Sequence, residues 1–414
     1  MAVPSPPLDR TILILGASYA GLSTTHYLLR HVLPFLPTSL SYKVLLVSSA
    51  AQVMCRPACP RALISDDFFD QNKLFVDIRS QLEQYPEQQW TFVHGTVSKV
   101  DLQARVAIVQ SSVEHTVPFH ALVIATGAST LSPLLGLHNG ESALREAWTS
   151  FRTCLPAARS IVIAGAGPAG VEVAGELSEY INGRIGWFAS SPKTPKTTIT
   201  LVTSGERILP ALRPSIAAVA ECYLARLGVV VMAKSKVVSV EPADAGSAIP
   251  QLTTPVNLSL STGETLTADL YIQATGTRPS TSFLSPTVLA PDGRVTTNPQ
   301  TLRVDTASPL IYSIGDCSNA FCPAIHNIMA AVPVLCNNIH HDLIEASDPG
   351  TRSSILQEKC FKEDMRETQL VPIGTKKGVG AAMGYKLPSW LVWLIKGRDY
   401  WIWTTGRLWS GRQW

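Results

Sequence analysis

Charge is scarce in this chain. Only 16% of its 414 residues are Asp, Glu, Lys or Arg, and 34 basic against 31 acidic side chains leave a formal net charge of +3. A surplus that small does not imply nucleic acid as a partner. Long apolar runs are missing as well. No window approaches about 18 apolar residues without a charge, so no segment is expected to span a bilayer. The first ten residues, MAVPSPPLDR, lack the basic stretch and apolar run of a secretory leader, and Ala2 stands where N-myristoylation requires glycine. Eight cysteines are too few, in so long a chain, for a secreted disulfide framework, and a reducing, cytoplasmic compartment is the default. No Ser/His/Asp constellation stands out. His340 and His341, as helix neighbours, point in different directions and make a poor metal pair, so no metal is expected. What remains, at 46% hydrophobic residues, is an ordinary globular composition with room for about two or three domains.

Against this background one stretch stands out, IVIAGAGPAGVEVAGEL at 161–177. β-Branched and small apolar residues run into Gly165, Gly167 and Gly170, and a helical pattern follows. That is the strand–turn–helix context a dinucleotide fingerprint needs. Gly165 permits the tight turn, Gly167 lets a pyrophosphate reach the backbone, and Gly170 lets helix and strand pack closely. The helix N-terminus then faces the phosphates with free N–H groups. A second copy lies upstream at 12–29, ILILGASYAGLSTTHYLL, with Gly16 and Gly21 in place and Ser18 at the middle position. Two such units imply two dinucleotides, and two dinucleotides suggest electron transfer between them. An apolar strand at 122–127 ends in Ala-Thr-Gly, carrying Thr126 and Gly127, and the triplet recurs at 274–276; such an ending lets backbone approach a cofactor. The expected fold class is therefore α/β, with two Rossmann-like dinucleotide-binding domains.

The intervening chain is read more coarsely. Strands are expected at 42–47, 91–97, 104–109 and 113–117, the last three as a meander, with helix at 172–180 and a surface loop at 182–196. In the second unit strands are expected at 198–202 and 229–232, a helix at 215–227, and a hairpin pair at 237–241 and 256–260. A helix at 325–339 should kink at Pro333. The acid that often holds the adenosine ribose is missing from both units. Ser48 and Ser49 follow the strand at 42–47, and Thr203 and Ser204 follow the one at 198–202. With Arg207 nearby the second site tilts toward NADPH, although Arg207 also reads as a solvated surface charge. Cys55 and Cys59, spaced CxxxC around Pro57, are either a redox pair beside a flavin or small buried hydrophobes. The strand at 310–316 closes on Asp316, placed either to hold a ribityl hydroxyl or to cap the next helix. His326 either faces the ring system or is a structural histidine.

The last segment differs from the rest. Residues 376–414 hold seven Lys or Arg against one acid, Asp399, and six of the nine tryptophans. Two readings stay open: peripheral contact with a membrane surface, or a folded layer whose indoles pack on the flavin domain or a partner subunit.

The order GASYAGL, PRALI, GTV, ATGAS, GAGPAGVEVAGEL, ATGTRP, SIGDC and KGRDYWIWTTGRLWSG resembles that of the two-dinucleotide flavoprotein reductases. More narrowly it is similar to the apoptosis-inducing-factor-like subgroup related to ferroptosis suppressor protein, its fungal members in particular. The resemblance implies an FAD-binding domain at 1–150 and 273–340, interrupted by an NAD(P)H-binding domain at 151–272. A C-terminal segment at 341–414 completes the site. It implies FAD contacts from Gly16, Ala17, Ser18, Tyr19 and Ala20, with Arg61 reaching the flavin, Val97 the adenine and Asp316 the ribityl chain. Gly165, Gly167 and Gly170 would hold the pyrophosphate of NADPH or NADH. Glu172 falls near the flavin–nicotinamide junction, where it also reads as a first-turn acid complementing the helix dipole. The expected activity is hydride transfer from NAD(P)H through flavin to an electron acceptor, a quinone. One alternative is a tailoring oxidoreductase acting on a hydrophobic secondary metabolite. Another, of a different class, is a flavin-bound redox sensor or interaction protein. No oligomeric state follows from the residues.

Overall fold

The computed structural model describes residues 10–37, 40–137, 140–184, 195–347 and 357–414. The expectations for the N-terminal residues before Arg10, and for most of the 182–196 loop, lie outside the described residues.

Runs of aliphatic residues without alternation form strands buried on both faces, as parallel sheets require. Ile12, Leu13, Ile14 and Leu15 are all fully buried. Their strand, Arg10–Leu15, lies at the centre of a five-stranded parallel sheet ordered Ile311–Ser313, Ala121–Ile124, Arg10–Leu15, Tyr42–Ser48, Trp90–His94. A second parallel sheet repeats the plan with the order Val229–Met232, Thr198–Val202, Ser160–Ala164, Leu270–Gln273. Each unit carries an antiparallel three-stranded meander: Thr96–Asp101, Val106–Gln110 and Glu114–Pro118 in the first, Val237–Glu241, Val256–Leu260 and Thr265–Ala268 in the second. The chain just past each Ala-Thr-Gly pairs with its counterpart, Ala128–Thr130 against Thr277–Pro279, and this ribbon ties the two units together.

Two expectations need correction. The stretch 91–97 is not one strand. Trp90–His94 joins the five-stranded sheet, whereas Thr96–Asp101 starts the meander. Gly95 is the pivot, because a Cβ there would lie 2.7 Å from the carbonyl oxygen of Gln110. The helix expected at 325–339 continues without interruption through Pro333 as Ile325–Ser347, and so crosses the boundary expected between residues 340 and 341. Proline removes one helical hydrogen bond, but Ile328, Ala331, Val332, Leu335, Ile339 and Leu343 remain buried along one face. Packing against the Tyr19–His31 helix outweighs the lost bond.

The tail is a folded layer. A hairpin, Gln369–Ile373 with Lys377–Ala382, leads through a short helix at Ser389–Val392 and a wider turn at Trp393–Gly397 to a last helix, Ile402–Trp409. Val371, Ile373 and Tyr400 belong to the same apolar core as Ile161 and Ile199 of the second sheet. Trp409, 1% exposed, packs on Tyr19 of the first unit with ring centres 4.7 Å apart. Buried His26 fixes this end: its Nε2–H donates to the Trp409 carbonyl at 2.7 Å, and its Nδ1 accepts from the Tyr85 hydroxyl at 2.9 Å. Burial pushes its pKa down to about 4, so the neutral ring is the one that serves here.

Candidate active site

The two glycine turns obey one steric rule. Gly16 and Gly165 have φ of +98° and +103°, and a Cβ on either would sit 2.3 Å from a carbonyl oxygen, that of Ala125 or of Ala274. Five residues on, Gly21 and Gly170 lie so close to their turns that a Cβ would come within 1.7 Å and 1.8 Å of the Gly16 and Gly165 oxygens. Only hydrogen fits there, so each helix starts hard against its strand. Gly167 is different, since a Cβ there would meet nothing within 4 Å. That open space is where a pyrophosphate can approach the backbone.

Both turns open onto one cavity of about 1760 Å³. A single ligand pocket is typically about 300–1,000 Å³, so the space exceeds what one small ligand needs. Gly16, Ala17, Ser18, Tyr19 and Ala20 line one part, Gly165 and Gly167 another, and Val97, Thr126, Gly127, Asp316 and Glu172 also face it. Gly21 and Gly170 do not; they act behind the turns, in packing. Asp316 follows Gly315, whose φ is +86°, and its carboxylate lies 3.8 Å from Arg56. The next helix begins only at Ile325, so Asp316 does not cap it. His326 is exposed and does not line the cavity.

Arg61 is the clearest departure from expectation. It does not reach the cavity. Its guanidinium, buried, donates to both carboxylate oxygens of Glu176 at 3.0 and 2.7 Å, and lies 4.8 Å from the ring centre of Tyr400. A buried carboxylate without a partner is costly, and Glu176 takes Arg61 for that purpose. Beside it Glu172, 3% exposed, accepts from Lys396 Nζ at 2.5 Å, and the same ammonium donates to the Leu370 carbonyl at 3.0 Å. The Tyr400 hydroxyl donates to Glu176 at 3.0 Å. Burial pushes the Glu172 carboxyl up to about 7 despite the ammonium next to it, which works in the opposite direction. Glu172 and Lys396 therefore place a buried ion pair on the cavity wall. Lys396 was not foreseen, since it lies 224 residues from its partner. The available cue was two acids four apart, Glu172 and Glu176, set among small and aliphatic residues in the first turns of a helix.

The cysteine pair reads as structure. Arg56–Ala58 is a tight turn and the helix starts only at Cys59, so the two thiols do not share a helix. Cys55 accepts from the Tyr19 hydroxyl and donates to the Tyr400 carbonyl. Burial pushes the thiols up to about 11 and 12, which disfavours a thiolate. At the far end Thr203 and Ser204 line the cavity beside Ser235 and Lys236, with Ser235 N–H donating to the Thr203 carbonyl at 2.9 Å. Arg207 is turned away onto the carbonyls of Pro210 and Leu212.

The comparisons agree with this geometry. The sequence profile of the pyridine nucleotide-disulphide oxidoreductases matches residues 10–334. The chain is 53% identical over 416 residues to Oxidoreductase phnG of Penicillium herquei, covering 100% of this chain and 99% of that one. It is 25% identical over 405 residues to Ferroptosis suppressor protein 1 of Xenopus tropicalis, covering 94% and 93%. Among solved structures, NDH2 from Plasmodium falciparum in complex with NADH shares the fold with a TM-score of 0.64 at 15% identity, covering 97% of this chain and 96% of that one. The glycine cradles, the open space at Gly167 and the size of the cavity fit the two dinucleotides such proteins use. The chain belongs to the pyridine nucleotide-disulphide oxidoreductase family and is an FAD-dependent oxidoreductase that draws its electrons from NADH or NADPH.

Proposed function

We propose that this oxidoreductase delivers its electrons to a small lipophilic acceptor of the quinone class, with FAD held at the first glycine turn and NAD(P)H at the second. The observation that carries the reading is the single cavity shared by both turns and by Glu172. When bound, FAD and the nicotinamide cofactor supply hydride transfer between their rings. The chain supplies position and protons. Backbone N–H groups at Ser18 to Ala20 and at Gly167 would take the pyrophosphates, Asp316 would hold a ribityl hydroxyl, and Val97 would lie on the adenine side. Thr126 and Gly127 let backbone lie against the flavin. Lys236 lines the cavity beside Ser204, and no acid among the described residues lines it at that end, which favours acceptance of the 2′-phosphate of NADPH.

A quinone takes up two electrons and two protons. NAD(P)H brings both electrons and one proton, so the second proton must come from the medium through the protein. Glu172, its carboxyl pushed up to about 7 by burial at the cavity wall, would pass it. Following flavin absorbance while titrating NADH or NADPH, then adding a soluble quinone, tests the reading. Quinone-stimulated NAD(P)H oxidation is the expected result. Flavin reduction without quinone stimulation points instead to a tailoring reaction on a hydrophobic metabolite. Slow reoxidation by every small acceptor indicates a sensor.

A further inference from the structure

The segment that seats Lys396 on the cavity turns a second face outward. Val392 and Lys396 point inward and are buried, whereas Trp390 and Leu394, about one turn apart, are 63% and 41% exposed. Arg398 continues that row, and its guanidinium lies 5.7 Å from the ring centre of Trp403, itself 58% exposed. Trp403 in turn opens the outer face of the last helix, where exposed Arg407 follows four residues later while Ile402, Thr405, Leu408 and Trp409 are buried. The result is a row of three large apolar side chains and two cations, Arg398 and Arg407. The neighbouring Asp399 is paired with Arg398 at 3.6 Å. Single exposed apolar residues need no explanation, but a row of them does.

We propose that this row docks the protein peripherally on a bilayer containing anionic lipid. Indole rings favour the headgroup level, where one edge is apolar and the other wet, and arginines beside them meet lipid phosphates and carboxylates. Six exposed cations against one acid in residues 376–414 give the attraction its sign. No helix among the described residues is long and apolar enough to cross a membrane, so the contact is with the surface. Because the inner side of the same segment holds Lys396, docking would bring the cavity wall within about 10 Å, roughly a helix diameter, of the lipid. The docking claim does not depend on which acceptor is used.

Co-flotation of the full, flavin-loaded chain with phosphatidylcholine vesicles, with and without phosphatidylserine, tests it. Binding to the phosphatidylserine vesicles, weakened by salt, is expected, together with quenching of tryptophan fluorescence by brominated lipid. The triple variant Trp390→Ser, Leu394→Ser, Trp403→Ser should bind about tenfold more weakly or worse while keeping its flavin and its reduction by NAD(P)H. Three results would overturn the proposal. One is failure of the wild type to float or to be quenched. Another is a flavin-loaded triple variant that floats as well as the wild type. The third is a concentration-dependent dimer, abolished by the same substitutions, in a protein that ignores vesicles.

Discussion

At residue 167 the backbone has φ −71° and a side chain would strike nothing in the protein. Gly167→Val should therefore fold and hold flavin normally while filling the space a pyrophosphate needs. We expect NAD(P)H binding to weaken by about a hundredfold, the scale of overpacking a close contact. Stopped-flow reduction of a stoichiometrically yellow protein measures this, and half-saturation at wild-type NADH levels would remove position 167 from the site. Glu172 offers a test of another kind. Its folded pKa, about 7, lies above the ordinary value of 4.5. Its stabilising contribution is thus full below about 4.5 and lost as pH rises through about 7. The protonated form needed to give up a proton follows the same curve. Glu172→Gln should slow acceptor-dependent turnover by about a hundredfold and abolish the fall in rate as pH rises through 7. It should also flatten the loss of thermal stability between about pH 5 and 8. An unchanged pH profile would show that the second proton takes another path.

At the scale of elements, the tail hairpin is seated on the 168–182 helix over a gap in its side chains. A Cβ on Gly175 would lie 2.9 Å from the Gly374 nitrogen and 3.0 Å from the Ile373 side chain. Gly175→Val should lift the hairpin and pull Lys396 from Glu172. The expected cost is about 1–3 kcal/mol in stability, and acceptor turnover should fall further than flavin content; a variant with wild-type Tm and turnover would show that the hairpin seats elsewhere. The same contact explains what the residues disclosed and what they hid. Strands Thr198–Val202, Val229–Met232, Val237–Glu241 and Val256–Leu260 were legible to the residue, because each is an apolar or alternating run bounded by turn residues. The glycine turns were legible because Gly16 and Gly165 stand under one steric demand, and their partners Ala125 and Ala274 recur at the same distance along the chain. The break at Gly95 was hidden because valines and threonines flank it on both sides. Arg61 was misplaced because a motif fixes a position in the chain, whereas its partner Glu176 is decided by which buried charge lies nearest. The Lys396 pairing was hidden for the same reason.

For the whole molecule, separate boundaries at 150, 272 and 340 suggest parts able to unfold one by one, which is common in chains of this size. The packing argues otherwise. One apolar core joins Met54, Cys59 and Phe75 of the first unit to Ile161 and Ile199 of the second sheet and to Val371 and Tyr400 of the tail. The ribbon at Ala128–Thr130 and Thr277–Pro279 crosses between the units a second time. Trp409 and the His26 bond to its carbonyl fasten the tail to the first sheet's helix. A large apolar interface of this kind holds units as one body, and a cavity walled by all three parts cannot keep its ligands once any part opens. The flavin-loaded protein should therefore unfold in one transition, with the rise in flavin fluorescence and the loss of far-UV circular dichroism sharing a midpoint. Flavin release more than about 5 °C below the loss of secondary structure, a gap larger than about 1 kcal/mol accounts for in a chain this long, would show that the tail or one sheet opens independently. In that event Lys396 would be a removable contact and no longer a fixed part of the cavity wall.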